Sequence, residues 1–268
     1  MTQTSPEDAI LNDPVLVAFA TGLLTRLPSW VQEVETRIGT LRPMEDSRVQ
    51  GDDKVKWIDP PSQQITHLLH SAHDHLTMLA QSIETTGPRP LAGFSLIRVA
   101  IEASALASWI MIPGTIDARV RKSIRLTWDN RQRVAVYTKR YDTPTDAITA
   151  ELRRILTEIT QSRPGLKSLD LEAPFAHLTD IISAVDDKIP GSKRSNLRGV
   201  DAWRACSGIA HSNPNFAAGA LQRTENEDHV LVTVNVTALG MMLEQATRHL
   251  GYALDLAEDY MLNTTKKR

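Results

Sequence analysis

The chain has 268 residues, with 30 Lys and Arg against 32 Asp and Glu, and its formal net charge is −2 at pH 7. This near balance excludes a protein that coats nucleic acid through its overall charge, so that any phosphate-binding surface must be local. The one cysteine, Cys206, excludes an internal disulfide framework and a cysteine-rich zinc module, which favours a reducing, cytoplasmic setting.

Neither of the two segments that resemble targeting or membrane sequences has the expected pattern. The first ten residues, MTQTSPEDAI, are polar and acidic, whereas a signal peptide begins basic and continues apolar. The most apolar window, FSLIRVAIEASALASWIMI, approaches the length of a membrane span but contains Arg98 and Glu102, which are costly in lipid. We therefore expect no membrane partner and interpret this window as a buried helix of a soluble protein.

Apolar residues spaced by three and four predict a succession of α-helices. Asn12-Asp13-Pro14 is a cap followed by a proline and predicts a short helix over residues 11–24, with a second short helix after Ser29. The polar, proline-flanked segment 42–61 predicts a loop. The further predicted helices cover residues 62–86, 91–112, 116–141, 144–162 and 174–189, and the stretch WRACSGIAHSNPN (residues 203–215) lies on one more.

Late in the chain the apolar period changes from helical spacing to two. Residues 216–222 and 230–236 flank the polar turn TENED and predict a β-hairpin, after which a closing helix is expected over 237–262. The predicted fold class is therefore all-α, a multi-helix bundle with a small hairpin. We expect a single domain over residues 1–268, composed of peripheral helices and a loop (1–60), a core bundle (62–212), the hairpin (216–236) and the closing helix (237–262).

Arg98 and Glu102 form an i, i+4 pair on the most apolar predicted helix. An unpaired charge in a core is strongly destabilising, so we expect each to pair with the other or with a polar group on a neighbouring helix. Two interpretations stay open. The pair is either a structural ion pair that fixes helix register, or Glu102 orients a catalytic or binding arginine.

Arg204 and His211 lie about 20° apart on a helical wheel, with Asp201 one turn earlier and Ser207 and Gly208 between them. An imidazole can exchange a proton with a hydroxyl near neutral pH, and a guanidinium can hold a phosphoryl oxygen in bidentate fashion. The small residues between them predict a face that a ligand can approach closely. The competing interpretation is a tight helix crossing or a lapsed site.

An arginine followed after four to six residues by a histidine, inside an all-α bundle, resembles the HEPN superfamily (higher eukaryotes and prokaryotes nucleotide-binding). Many members are metal-independent ribonucleases in which the arginine and histidine of two protomers meet at a dimer interface. The resemblance implies that His211 is the general acid/base and that Arg204 stabilises the charged transition state. It also implies a homodimer that needs no cofactor. We expect Arg98, Glu102, Ser207 and Asp201 to support the two central residues.

The arrangement of HLLHSAHDHLTML, LIRVAIEASALASWIM and WRACSGIAHSNP also resembles a group of uncharacterised bacterial helical proteins, over roughly residues 62–214. No activity follows from that second resemblance.

Two further groupings have competing explanations. His67, His70 and Asp74 share one face of a helix and are a weak alternative metal site, but a solvated or interface face is the favoured explanation. The basic helix 116–141 predicts a local phosphate-binding surface, unless it is an exposed helix paired with acidic helices. The basic residues predicted to bind nucleic acid are Arg119, Arg121, Lys122, Arg125, Lys193 and Arg194.

Together these features predict a HEPN-like nucleotide- or RNA-binding protein, with activity as a metal-independent endoribonuclease of a toxin or defence type. The alternative is a non-catalytic helical scaffold or binding module whose buried polar groups serve packing. The sequence alone leaves open whether the protein is an enzyme.

Overall fold

The computed structural model describes residues 11–54, 59–139, 145–194, 197–225 and 230–263. Ten α-helices, two short 3-10 helices and one two-stranded antiparallel sheet make up the regular structure of these residues, which confirms the predicted all-α bundle with a small hairpin. In chain order the helices are α1 (Pro14–Thr40), α2 (Arg48–Asp53), α3 (Pro61–Thr86), α4 (Ala92–Met111), α5 (Ile116–Thr138), α6 (Thr145–Ser162), α7 (Leu178–Asp186), α8 (Gly199–Ala210), α9 (Pro214–Ala220) and α10 (Val236–Met261).

Strands β1 (Leu221–Glu225) and β2 (Val230–Val234) form the hairpin between α9 and α10. They pair antiparallel, with Leu221 opposite Val234 and Glu225 opposite Val230. The second strand lies where the alternating pattern predicts it. Most of the turn TENED lies outside the described residues.

The chain divides into two compact units, which do not follow the predicted segments. The first consists of the described residues within Met1–Thr40, Leu68–Leu106 and Leu178–Leu254, and the second of those within Leu41–His67, Ala107–His177 and Asp255–Arg268. The single-domain organisation stays a prediction.

In the first unit the core includes apolar stripes on α1 and α3. The stripe of α1 recurs at helical spacing as Ala20, Leu24, Leu27, Val31, Val34 and Ile38. Leu69, Ala72, Leu76 and Leu79 form the corresponding stripe of α3, and all four are fully buried as predicted. A Cβ added to Gly240 of α10 would lie 2.4 Å from the Cβ of Ala20, so these two helices cross with their backbones in near contact.

The core of the second unit combines an apolar cluster with a buried polar triad. Its apolar part consists of Val120, Ile124, Trp128, Leu152, Leu156, Ile159 and Leu166. The triad consists of Asp52, Arg119 and Tyr260, each at most 2% exposed. The two guanidinium nitrogens Nε and Nη2 of Arg119 donate to the two carboxylate oxygens of Asp52 at 2.6 and 3.0 Å, and the Tyr260 hydroxyl donates to Asp52 as well.

The prediction of two short helices near the N-terminus is wrong, because α1 is one helix of 27 residues with Pro28 inside it. A proline removes one intrahelical hydrogen bond, here the bond to the carbonyl of Leu24. The buried stripe nevertheless continues on both sides of Pro28, so tertiary packing holds the two halves in one helix.

The structure also corrects three shorter segments. The predicted loop 42–61 contains α2, whose six residues are too few to show a period, and its Asp52 is held by Arg119. Residues 216–220 are helical rather than extended, because Asn213 caps α9 and Pro214 occupies its first turn. The helix predicted over 174–189 covers only Leu178–Asp186.

By length and composition alone, α1 and α4 are apolar enough to span a membrane. The apolar window of α4 is mostly buried, as in the core helix of a soluble protein, whereas that of α1 is mostly exposed. Core helices and N-terminal signal sequences meet the same criterion, so these helices are weak indicators of a membrane span. The cytoplasmic location stays a prediction.

Candidate active site on helix α8

Helix α8 and its C-cap hold four of the predicted site residues, Asp201, Arg204, Ser207 and His211. A buried carboxylate anchors the first turn of this helix. Asp186, at the end of α7, accepts hydrogen bonds from the amides of Gly199 (3.1 Å) and Val200 (2.9 Å), the first two residues of α8. These amides have no partner within the helix, and their partial positive charge favours a carboxylate. Asp186 therefore fixes where α8 begins and in which direction it runs.

His249 of α10 completes this anchor. Its Nε2 lies 3.0 Å from Oδ1 of Asp186, and both side chains are at most 1% exposed. Burial alone would raise the pKa of Asp186, but the hydrogen bonds from His249 and the two amides outweigh burial and lower it. A Cβ at Gly199 would lie 2.1 Å from the His249 ring, so only glycine allows the ring to reach the carboxylate.

Arg98 and Glu102 of α4 form the predicted pair and contact α8 as well. Arg98 Nη2 lies 3.3 Å from Glu102 Oε2, and Arg98 Nε donates to the Ser207 hydroxyl at 3.2 Å. Trp203 Nε1 donates to Glu102 Oε2 at 3.2 Å, and the Arg98 guanidinium lies 5.4 Å from the Trp203 ring centre. Arg98 thus contacts the other three side chains of this cluster. About a quarter of the Arg98 and Glu102 side chains remains exposed, so the cluster reaches the surface.

Arg204 and His211 are exposed, at the two ends of a seven-residue interval that runs to the C-terminus of α8. The nearest charged neighbour of Arg204 is Asp201, at 3.6 Å from Nη1, and about half of each side chain is exposed. His211 is the C-cap residue, and its amide donates to the Ser207 carbonyl at 3.0 Å. Among the described residues, the His211 ring has no hydrogen-bond partner. Both groups are therefore available to a ligand from solvent.

The exposed face of small residues between Arg204 and His211 is narrower than the sequence predicts. A Cβ at Gly208 would lie 2.2 Å from the Phe216 ring, so Phe216 of α9 covers the glycine. The chain reaches this position through Ser212, whose φ of 57° turns it back after α8. The prediction that a ligand approaches the helix at Gly208 is wrong, because a side chain of the same chain fills that space. Ser207 lies beside it and is bonded to Arg98.

Cys206 faces the interior. Burial raises the pKa of its thiol to about 12, and its sulfur lies 3.3 Å from the Met242 sulfur. At neutral pH it is a protonated core residue.

Arg119 does not belong to a phosphate-binding surface, since it is 2% exposed and bonded to Asp52. Its pKa is raised, because the hydrogen bond and charge of Asp52 outweigh the lowering by burial. The prediction for this residue is wrong because a partner 67 positions earlier in the chain has no signature in the sequence of the basic helix.

Three other predicted phosphate ligands on α5 hold the chain together instead. Arg121 donates to the Gly165 carbonyl at 2.7 Å, and Arg125 donates to the carbonyls of Asp170, Leu171 and Ala173. Lys122 donates to the Trp109 carbonyl at 2.7 Å and lies 4.5 Å from the Trp109 ring centre. Burial lowers the pKa of Lys122 to about 8, which weakens its ability to attract an anion.

Of the remaining predicted ligands of nucleic acid, Lys193 is exposed, while the side chain of Arg194 lies outside the described residues. The exposed basic groups along α5 and its C-cap are Arg133 and Lys139. Arg133 is paired with Asp129 at 2.7 Å.

His67, His70 and Asp74 are exposed on α3, as a solvated face predicts. Over the described part of the chain, no three His, Cys, Asp or Glu side chains are grouped closely enough to hold a metal ion.

Sequence reasoning missed Asp186 and His249, which determine the placement of α8. They lie 63 positions apart, and neither belongs to a motif of recognisable spacing. Trp203 was also missed, because its hydrogen bond to Glu102 joins residues that lie 101 positions apart.

In comparisons with protein-family models, curated proteins and solved structures, nothing matches the chain. The chemistry of the site therefore has to be argued from its own residues.

Proposed function

We propose that this protein is a HEPN-like RNA-binding protein that cleaves RNA without a metal ion, as an endoribonuclease of the toxin or defence type. The observation that supports this most is the exposure of Arg204 and His211 near the C-terminal end of one anchored helix. An imidazole can transfer protons near neutral pH, and a guanidinium can stabilise the charge that develops on the phosphoryl oxygens.

In the proposed reaction, the His211 imidazole removes the proton from an RNA 2′-hydroxyl. The 2′-oxygen then bonds to the adjacent phosphorus, and the bond from phosphorus to the 5′-oxygen of the next nucleotide breaks. Arg204 stabilises the additional negative charge on the phosphoryl oxygens. In the proposed homodimer, the protonated histidine of the second copy gives a proton to the leaving 5′-oxygen. The products are a 2′,3′-cyclic phosphate and a 5′-hydroxyl.

The ion pair between Arg204 and Asp201 is compatible with this role. Arg204 Nη1 lies 3.6 Å from Asp201 Oδ1, and both side chains are about half exposed. An exposed pair of this kind contributes about 0 to 1 kcal/mol, so a phosphate can replace Asp201 as the partner of Arg204 at little cost. The Arg98–Glu102–Trp203–Ser207 cluster contacts the same helix. Its Ser207 accepts a hydrogen bond from Arg98 through the hydroxyl and one from the His211 amide through the carbonyl.

The experiment is cleavage of a structured RNA by the full chain in the presence of EDTA. Wild-type protein is expected to release fragments with 2′,3′-cyclic phosphate and 5′-hydroxyl ends, and Arg204→Ala and His211→Ala are expected to release none. His177→Ala, which removes another exposed histidine, is the matched control and should cleave like wild type. Loss of cleavage in EDTA, or equal cleavage by His211→Ala, would contradict the proposal.

A non-catalytic helical binding module is the second candidate, and two contacts favour it. The polar groups of Arg98, Glu102 and Trp203 satisfy one another between α4 and α8, and Phe216 covers Gly208. Both are what a stable helix crossing requires. If the wild type is inert toward RNA and Glu102→Gln lowers the melting temperature, this candidate replaces the first.

A further inference from the structure

A cavity of about 330 Å³ lies between α1 and α10, within the first unit. This volume is at the lower end of the range of small-molecule sites in proteins, about 300 to 1,000 Å³. The residues that line it are Leu23, Arg26, Leu27, Ser29, Trp30, Glu33, Leu243 and Thr247.

The cavity follows from the way in which the two helices cross. Ala20 and Gly240 bring the backbones of α1 and α10 into near contact. All of the lining residues lie after this crossing in both helices, by one to four turns. There the side chains of Leu23, Leu27 and Leu243 occupy the space between the helices and form the apolar part of the wall.

The polar part of the wall comes from a line of residues along α1. Arg26, Trp30 and Glu33 are spaced by four and three positions and therefore share one face of the helix. Helical side chains lean toward the N-terminus of their helix. Glu33 therefore leans toward Trp30, one turn before it.

Arg26 leans away from Trp30. Its Nε donates to the carbonyl of Gly22 at 3.1 Å, which holds the guanidinium over the preceding turn. Throughout the described ranges, the Glu33 carboxylate has neither a hydrogen-bond nor an ion-pair partner. The guanidinium and the carboxylate both line the cavity, but the carboxylate is the one without a partner, and it lies one turn from Trp30 on the same helix face. A carboxylate next to an indole ring attracts a cation, through its charge and through the cation–π interaction.

We propose that this cavity is a binding site for a small organic cation with an apolar body. The ammonium group is held by the Glu33 carboxylate and the Trp30 ring. The apolar body packs against Leu23, Leu27 and Leu243, whose burial supplies the hydrophobic part of the affinity.

The test is isothermal titration calorimetry of the full chain with benzyltrimethylammonium, which joins a quaternary ammonium to a flat apolar ring. We expect saturable binding at one site. The anion 3-phenylpropanoate has a similar apolar body and opposite charge, and it should not bind. Glu33→Gln and Trp30→Leu should each weaken binding about tenfold, the effect of losing about 1.4 kcal/mol of cation recognition.

Two further variants make the result specific. Glu35→Gln removes an exposed carboxylate of the same helix that does not line this cavity, and it should leave the affinity unchanged. Trp30→Phe keeps an aromatic face and should bind with an affinity between those of wild type and Trp30→Leu. Melting temperatures of all variants establish that they are folded.

Absence of binding by benzyltrimethylammonium would overturn the proposal. So would tighter binding of the anion with loss in Arg26→Gln, or cation binding that Glu33→Gln leaves unchanged. The outcome is independent of RNA cleavage, since none of these residues belongs to the α8 site.

Discussion

Asp186 and His249 contact each other at 3.0 Å in the core of the first unit, and the same carboxylate accepts the first two amides of α8. This one side chain therefore joins three helices, α7, α8 and α10. The direction of α8, and with it the position of Arg204 and His211, depends on this contact.

We expect Asp186→Asn to lower the free energy of unfolding by about 3 kcal/mol, because it removes the charge from a buried pair and leaves one amide of α8 without an acceptor. Asp187→Asn is the matched control. The Asp187 side chain is about half exposed and pairs with Arg198, so its substitution should cost at most about 1 kcal/mol. Urea unfolding of both variants measures the difference, and equal stabilities would contradict the anchoring role.

Lys122 should make stability depend on pH in the alkaline range. Burial lowers its pKa to about 8 in the folded protein, against 10.5 for a lysine in water, so the unfolded chain binds more protons between these two values. The free energy of unfolding contributed by this group therefore rises with pH from about 8 to about 10.5.

The measurement compares urea unfolding of wild type and Lys122→Met from pH 7 to pH 11. The difference between the two proteins isolates Lys122 from tyrosine and cysteine groups, which titrate in the same range. Lys188→Met, at an exposed lysine, should show no such difference from wild type. A wild-type profile parallel to that of Lys122→Met would show that Lys122 keeps an ordinary pKa.

Arg119→Met should destabilise the protein by about 3 to 5 kcal/mol, because it leaves the Asp52 carboxylate buried without its cation. It should leave RNA binding unchanged, since Arg119 is buried in the second unit. Thermal unfolding and a filter-binding assay below the melting temperature separate the two effects. Weaker RNA binding by folded Arg119→Met would restore the basic helix as a phosphate-binding element.

Gly208→Ala should displace the Phe216 ring, because the added methyl would lie 2.2 Å from it. We expect a loss of about 1 to 3 kcal/mol, as for other overpacked contacts. The double variant Gly208→Ala with Phe216→Ala should recover part of this loss relative to Phe216→Ala alone. If Gly208→Ala is as stable as wild type, Phe216 does not cover this glycine in solution.

The sequence predicts the helices and strands whose apolar residues recur at a regular spacing. It does not predict features that depend on a contact between residues far apart in the chain. The apolar residues of α3 and α4 and the alternating residues of β2 form local patterns. These two helices and this strand lie within one or two residues of their predicted bounds. Pro28 leads to the wrong prediction of a helix break, because the hydrogen bond that a proline removes is evident from the sequence. The packing that keeps α1 continuous is not.

The same reason explains the outcome at the candidate site. The Arg98–Glu102 pair is predictable, since its spacing places both charges on one helix face and an apolar helix demands a partner. Phe216 on Gly208, Asp186 with His249, and Asp52 with Arg119 are contacts between distant segments. No residue spacing in a single sequence predicts such contacts. From the sequence, the basic helix is therefore interpreted as a phosphate-binding surface, because the carboxylate that pairs with Arg119 lies in a distant segment.

The most direct test of the central claim is the rate of RNA cleavage in EDTA by wild type and His211→Ala at equal, saturating protein concentration. General acid/base catalysis by a histidine contributes about a hundredfold to ten-thousandfold, so the rate should fall by at least about a hundredfold in His211→Ala. The melting temperature should stay unchanged, because His211 is exposed. Equal rates for the two proteins, or no cleavage by wild type, would contradict the account.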